Sequence, residues 1–109
     1  MKIDNIRTTE YQIFIGCKDG QTHKELVTAE ELRNMVSVFF EKRHIDFSMI
    51  SLRGGYLYEN DEFVIEDTLC IDIITDNEDE IKTLARDLSM FMNQKCMLII
   101  KKELSAQYR

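Results

Sequence analysis

The amino-acid sequence predicts an α+β domain with a ferredoxin-like fold, whose elements follow the order βαββαβ. A long β-hairpin is indicated by the apolar pattern of residues 47–76, which a polar turn at 59–62 interrupts. An amphipathic helical pattern lies on each side of this hairpin, and a short apolar run lies at each end of the series. This is the order of the split βαβ unit, in which right-handed crossovers place both helices on one face of a four-stranded antiparallel sheet.

The first strand is predicted over residues 11–17, with apolar side chains on both of its faces. Because side chains alternate along a strand, Tyr11 and Ile13 share one face and Phe14 lies on the other. Such a strand is typical of a central position. The sheet face that the helices leave open is therefore expected to be partly apolar. Its predicted members are Phe14, Val64, Cys70 and Ile74, beside Glu66, Thr68 and Asp72.

Two helices are predicted from their capping residues and apolar stripes. The first spans 29–43, because Thr28 and Glu31 fit a capping box in which each side chain binds a backbone N–H. The second begins after Asn77, which suits an N-cap position, and ends near Asn93. The predicted buried stripes are Leu32, Met35, Val36, Phe39 and Phe40 in the first helix, and Ile81, Leu84, Ala85, Leu88 and Met92 in the second.

A length of 109 residues predicts a single domain, 1–109, with one core. The last strand is expected at 96–100. The residues after it, 101–109, are mostly polar and are expected to form a frayed tail. The ordered core would then cover about 10–101.

Charge and cysteine content narrow the class of protein. A net charge of −6 argues against nucleic acid, whose binding requires clustered lysine and arginine. No segment has the pattern of a membrane span or a signal peptide, so we expect a cytoplasmic protein that does not bind membranes. Cys17, Cys70 and Cys96 lack paired spacing and are expected to be reduced thiols. His23 and His44 stand apart from other ligands, so we expect no metal and no cofactor.

Candidates for a small-molecule site lie around the glycines of the hairpin. Arg53 and the two glycines after it suggest an anion-binding loop, although such glycines are more typical of a bulge or bend. Glu66 lies inside a predicted strand, where a carboxylate needs a partner. We expect it to meet Arg53 across the hairpin, as a structural ion pair or as part of a ligand site. The candidate ligand-binding residues are Gly16, Arg53, Tyr56, Glu66 and Gln94, and no catalytic residue is assigned.

The sequence resembles a bacterial domain family of unknown function. The resemblance is carried by Ile13-Phe14-Ile15-Gly16, by Gly55-Tyr56, by Glu66-Asp67-Thr68 and by residues 93–98. It implies a ferredoxin-like fold and no established activity.

Two functions stay open at this point. The first, which we favour from the sequence, is a non-enzymatic module that binds another copy of itself or another protein through the open sheet face. One version of this module is a phage or mobile-element inhibitor of a host protein. The second is a small-molecule-binding protein or minor enzyme with its pocket near the glycines of the hairpin.

Overall fold

The computed structural model, which describes residues 4–16, 27–92 and 97–108, has the predicted βαββαβ order. The strands pair antiparallel in the order β2-β3-β1-β4, so β1 is central as its two apolar faces predicted. The elements are β1 (Asp4–Gly16), α1 (Ala29–Arg43), β2 (Ser48–Leu57), β3 (Phe63–Ile74), α2 (Glu78–Phe91) and β4 (Leu98–Tyr108).

Both helices begin where their capping residues predicted. The backbone N–H of Glu31 donates to Thr28 Oγ1 over 3.1 Å, and the N–H of Glu80 donates to Asn77 Oδ1 over 3.1 Å. The Glu31 carboxylate accepts from the Thr28 hydroxyl instead of from a backbone N–H. Helix α2 ends at Phe91, and the predicted end at Asn93 lies outside the described residues.

The core lies between the helices and one face of the sheet. Both predicted helical stripes contribute to it, with Met35 only partly buried. From the sheet it receives alternate residues of the two inner strands, which confirms that both helices cover the same face. These residues are Tyr11, Ile13 and Ile15 of β1 and Leu69, Ile71 and Ile73 of β3.

The opposite, open face of the sheet is partly apolar, as predicted. Strand register places Ile50, Cys70, Phe14 and Leu98 in one row across all four strands. Ile50 and Leu98 are 65% and 61% exposed, whereas Cys70 is buried by its neighbours in the row and is a free thiol.

The predicted frayed tail is wrong, because β4 continues to Tyr108. Strand β1 likewise begins at Asp4, and the pairing of β3 with β1 begins only at Glu10. Residues 4–9 of β1 and 103–108 of β4 therefore form a two-stranded extension of the sheet, here called the ribbon. Thr9 at its base also accepts a hydrogen bond from the Thr75 N–H over 3.0 Å. The ordered chain is thus longer than 10–101, and the molecule measures 53 Å along its longest axis.

Candidate functional site

The two glycines of the hairpin make room for aromatic rings. Both lie within β2 in regular pairing with β3, and neither has a positive φ, so the expected bulge is absent. A Cβ at Gly54 would lie only 2.7 Å from Tyr56 Oη. On the other face of the sheet, the ring of Phe63 packs directly against Gly55. The glycines thus let two rings lie flat on the strand, one on each face.

Tyr56 reaches along the open face to the middle of the hairpin. Its phenol oxygen lies 3.0 Å from Thr68 Oγ1, a hydrogen-bonding distance. Strand register puts Gly54 opposite Glu66 and Tyr56 opposite Val64. To reach Thr68, the Tyr56 side chain therefore passes over Gly54 and beside Glu66.

Glu66 is held between a second tyrosine and the end of β1. A Cβ at Gly16 would lie 3.1 Å from Glu66 Oε1, so the carboxylate rests directly over this glycine. Burial raises the pKa of Tyr58 above its ordinary value of 10, and the charge of Glu66 and a hydrogen bond to it raise it further. The Tyr58 phenol is therefore protonated at neutral pH and donates to the carboxylate.

These side chains define what we call the tyrosine–glutamate site, formed by Gly16, Tyr56, Tyr58, Glu66 and Thr68. Four of them lie on the open face, and Tyr58 directly follows β2. Three of the five predicted candidates, Gly16, Tyr56 and Glu66, meet here. Tyr58 was not among the five candidates, and Thr68 was expected on this face without an assigned role.

Arg53 does not belong to this site. It lies opposite Asp67 on the helix-covered side of the hairpin, and its Nε is 3.3 Å from Asp67 Oδ1. The predicted pair with Glu66 is therefore wrong, because the β2–β3 register offsets the two residues by one position and puts them on opposite faces. The Arg53 side chain is 75% exposed, so this pair adds little stability. The fifth candidate, Gln94, lies outside the described residues.

The chemistry of the site is that of one carboxylate, two phenols and a hydroxyl. None of the five residues that form it is a lysine or arginine. The carboxylate and the two aromatic rings instead suit a positively charged or hydroxyl-bearing ligand. Within residues 4–16, 27–92 and 97–108, no three histidine, cysteine or acidic side chains gather as metal ligands would.

Comparison with known proteins reveals likeness in structure only. No protein-family model and no curated protein matches the chain, so the resemblance to a bacterial family stays a prediction. A phage SAM lyase in complex with S-methyl-5′-thioadenosine is similar, with a TM-score of 0.67 and 19% identity over 93% of this chain and 88% of that one.

A second similar structure is CPII, a nitrogen regulatory PII-like protein from Thiomonas intermedia K12, bound to ADP, AMP and bicarbonate. Its TM-score is 0.58 at 6% identity, over 94% of this chain and 98% of that one. These likenesses establish the ferredoxin-like fold. Neither described helix is long and apolar enough to cross a membrane.

Proposed function

We propose that this protein cleaves S-adenosylmethionine as a lyase and that the tyrosine–glutamate site binds the substrate. The observation that carries the proposal is the charge of the site. Both similar proteins are named with ligands that contain adenosine, but one ligand bears a thioether and the others bear phosphates. A carboxylate between two phenols suits the cationic sulfonium of S-adenosylmethionine better than a nucleoside diphosphate.

In this proposal the protein binds and orients a substrate that carries its own nucleophile. When the bond between sulfur and Cγ breaks, the electron pair stays on sulfur and S-methyl-5′-thioadenosine leaves. Cγ is captured by the carboxylate oxygen of the same substrate, which closes a five-membered lactone without water. The positive charge on sulfur disappears during this step, so Glu66 contributes to binding of the substrate and not to the bond cleavage. Exclusion of water favours the cleavage, because water stabilises the charged substrate more than its uncharged products.

Two earlier expectations are kept in this proposal. The protein forms a homo-oligomer through its open sheet face, supported by the exposed side chains of Ile50, Leu52, Ile74 and Leu98. It acts in the cytoplasm, where the Cys70 thiol stays reduced. An enzyme that removes S-adenosylmethionine would deprive host methyltransferases of their methyl donor. It would thereby inhibit the host as an enzyme, whereas the sequence favoured a non-enzymatic phage or mobile-element inhibitor that binds a host protein.

The proposal predicts that the purified chain converts S-adenosylmethionine to S-methyl-5′-thioadenosine, which liquid chromatography with mass spectrometry detects. We expect Glu66→Gln to raise the KM for S-adenosylmethionine at least ~10-fold, because the variant loses a charge-assisted contact that binds the substrate. The matched control is Asp67→Asn, one residue further along β3 but on the helix-covered side, which should retain the wild-type rate.

Thermal shift on the same three proteins separates the alternatives. S-adenosylmethionine should raise the Tm of wild type and Asp67→Asn more than that of Glu66→Gln, because its sulfonium is the group that Glu66 contacts. S-methyl-5′-thioadenosine is neutral and should stabilise all three proteins alike. If ADP stabilises the protein and no S-methyl-5′-thioadenosine forms, the lyase proposal is wrong and a nucleotide-binding regulator takes its place. No product and no stabilisation by any nucleoside would return the protein to the non-enzymatic module.

A further inference from the structure

The two faces of the ribbon differ in polarity. On the side continuous with the open sheet face, Ile6 lies opposite Ala106 and Thr8 lies opposite Leu104. On the side continuous with the helix-covered face, the described residues are all polar: Arg7, Thr9, Glu103, Ser105 and Gln107. Among the described residues, no core side chain belongs to the ribbon. Ile6 is 38% exposed, and Leu104 and Ala106 are only half-buried, so packing within one chain covers the apolar side incompletely.

A ribbon of this kind needs a covering surface. Two-stranded sheets are at best marginally stable in water, and six residues per strand extend about 20 Å at ~3.3 Å per residue. If both sides of the ribbon faced water, there would be no reason for one side to be apolar and the other polar. The apolar side of the ribbon lies on the same face as Leu98, Ile100 and Ile74, and the paired residues Glu10 and Lys102 lie between the ribbon and Ile100.

The size of this combined face fits a second copy of the chain. Four strands ~4.8 Å apart, together with the ribbon, give roughly 700 Å² of flat area per copy, close to the ~800 Å² per partner of a standard interface. Charge also permits it. The described side chains of this face include only four charged residues, so most of the chain's net charge of −6 lies elsewhere. These four residues are Glu10, Glu66, Asp72 and Lys102.

From these observations we propose that the ribbon is an arm whose apolar side packs on the open sheet face of a second copy. The inference deepens the self-association included in the proposed function. The arm shares the open face with the tyrosine–glutamate site, but the inference rests on no contact of that site. It assigns a specific role to Ile6 and Leu104, which lie near the far end of the molecule from that site.

Sedimentation velocity of the full chain tests the arm. Leu104→Glu places a charge on the apolar side of the ribbon, and Ser105→Glu places the same charge one residue further along on the polar side. We expect wild type and Ser105→Glu to assemble alike. For Leu104→Glu, the protein concentration at which half of the assembly has dissociated should be at least ~10-fold higher than for wild type. Circular dichroism verifies that each variant is folded. Ile6→Lys, with Arg7→Glu as its control, provides the same comparison on β1 if Leu104→Glu does not fold.

Assembly of both apolar-side variants at wild-type concentration would overturn the arm while leaving self-association in place. Equal dissociation by Leu104→Glu and Ser105→Glu would also overturn it, because the effect would not depend on the face. A wild-type chain that stays monomeric at ~100 μM would overturn both the arm and the self-association. Formation of S-methyl-5′-thioadenosine, measured on the same samples, shows separately whether the proposed enzyme activity holds.

Discussion

Gly16 and Gly54 determine how closely the polar side chains of the tyrosine–glutamate site approach the sheet. Gly54 lets the Tyr56 phenol lie against β2, and Gly16 lets the Glu66 carboxylate lie against the end of β1. Any side chain at these positions would lift the overlying group from the strand. The geometry of the site therefore depends on two residues that offer no functional group of their own.

Gly16→Ala tests this dependence. The new Cβ would lie 3.1 to 3.2 Å from the Glu66 carboxylate, closer than an ordinary van der Waals contact, so the carboxylate should shift by a few tenths of an ångström. Because a ~1 Å misplacement can cost ~100-fold, we expect formation of S-methyl-5′-thioadenosine to fall several-fold.

A double-mutant cycle supplies the control for Gly16→Ala. In a Glu66→Gln background the alanine should cause little further loss, since both changes act through the same group. An equal loss in both backgrounds would show that Gly16 acts independently of Glu66.

Among the elements, the helices were the most predictable. Their apolar spacing and their capping residues indicate the same start, and the backbone follows both signals. Thr28 serves α1 twice, as an acceptor for the Glu31 N–H and as a donor to the Glu31 carboxylate.

Thr28→Ala should lower the free energy of unfolding by ~1 kcal/mol, the usual cost of losing an N-cap. Urea denaturation measures this difference. The control is Thr83→Ala at an exposed position within α2, where alanine's higher helix propensity should leave stability unchanged or slightly higher. A Thr28→Ala chain as stable as wild type would mean that the cap contributes nothing.

The strands were less predictable than the helices, in both their register and their length. The hairpin could be predicted because long apolar runs flank a polar turn, but its register could not. Moving the pairing by one residue exchanges the faces of Arg53 and Gly54, and this decides whether Arg53 meets Asp67 or Glu66. The ribbon was missed because Ile6 and Leu104 are isolated apolar residues in polar segments, and the partner that would make them a strand lies at the other end of the chain.

At the scale of the whole molecule, the excess of acidic residues brings two carboxyl groups, those of Glu10 and Asp72, together on the open face. A hydrogen bond with Asp72 raises the pKa of Glu10 above its ordinary value of 4.5, burial and the Asp72 charge add to this, and Lys102 on β4 opposes it. Asp72 also accepts a hydrogen bond through Oδ2 from Gln12 Nε2, over 3.5 Å. The folded chain thus holds a proton at Glu10 more tightly than the unfolded chain does.

This pair predicts a pH dependence of stability. An acid whose pKa is raised by folding stabilises the native state at low pH, and this contribution disappears as pH rises through the folded-state pKa. Glu10→Gln should therefore raise the Tm relative to wild type at pH 7, and the difference should shrink as pH falls towards 4.5. Differential scanning calorimetry between pH 4 and pH 8 measures both curves.

Asp72→Asn removes the same pair from the other side and should show a similar trend. A difference between wild type and Glu10→Gln that is constant with pH would contradict the assignment of this pair as the cause.

The sheet order also has a consequence for the protein during its synthesis. Strand β1 is made first but lies between β3 and β4, and β4 follows every other element along the chain. Until β4 emerges from the ribosome, a nascent chain can complete only the three-stranded sheet β2-β3-β1, in which β1 is an edge with unpaired backbone groups. Ile13 and Phe14 then lie on an open strand that can pair with the wrong chain. Cotranslational aggregation, and protection from it by chaperones, should therefore depend on how quickly β4 is translated.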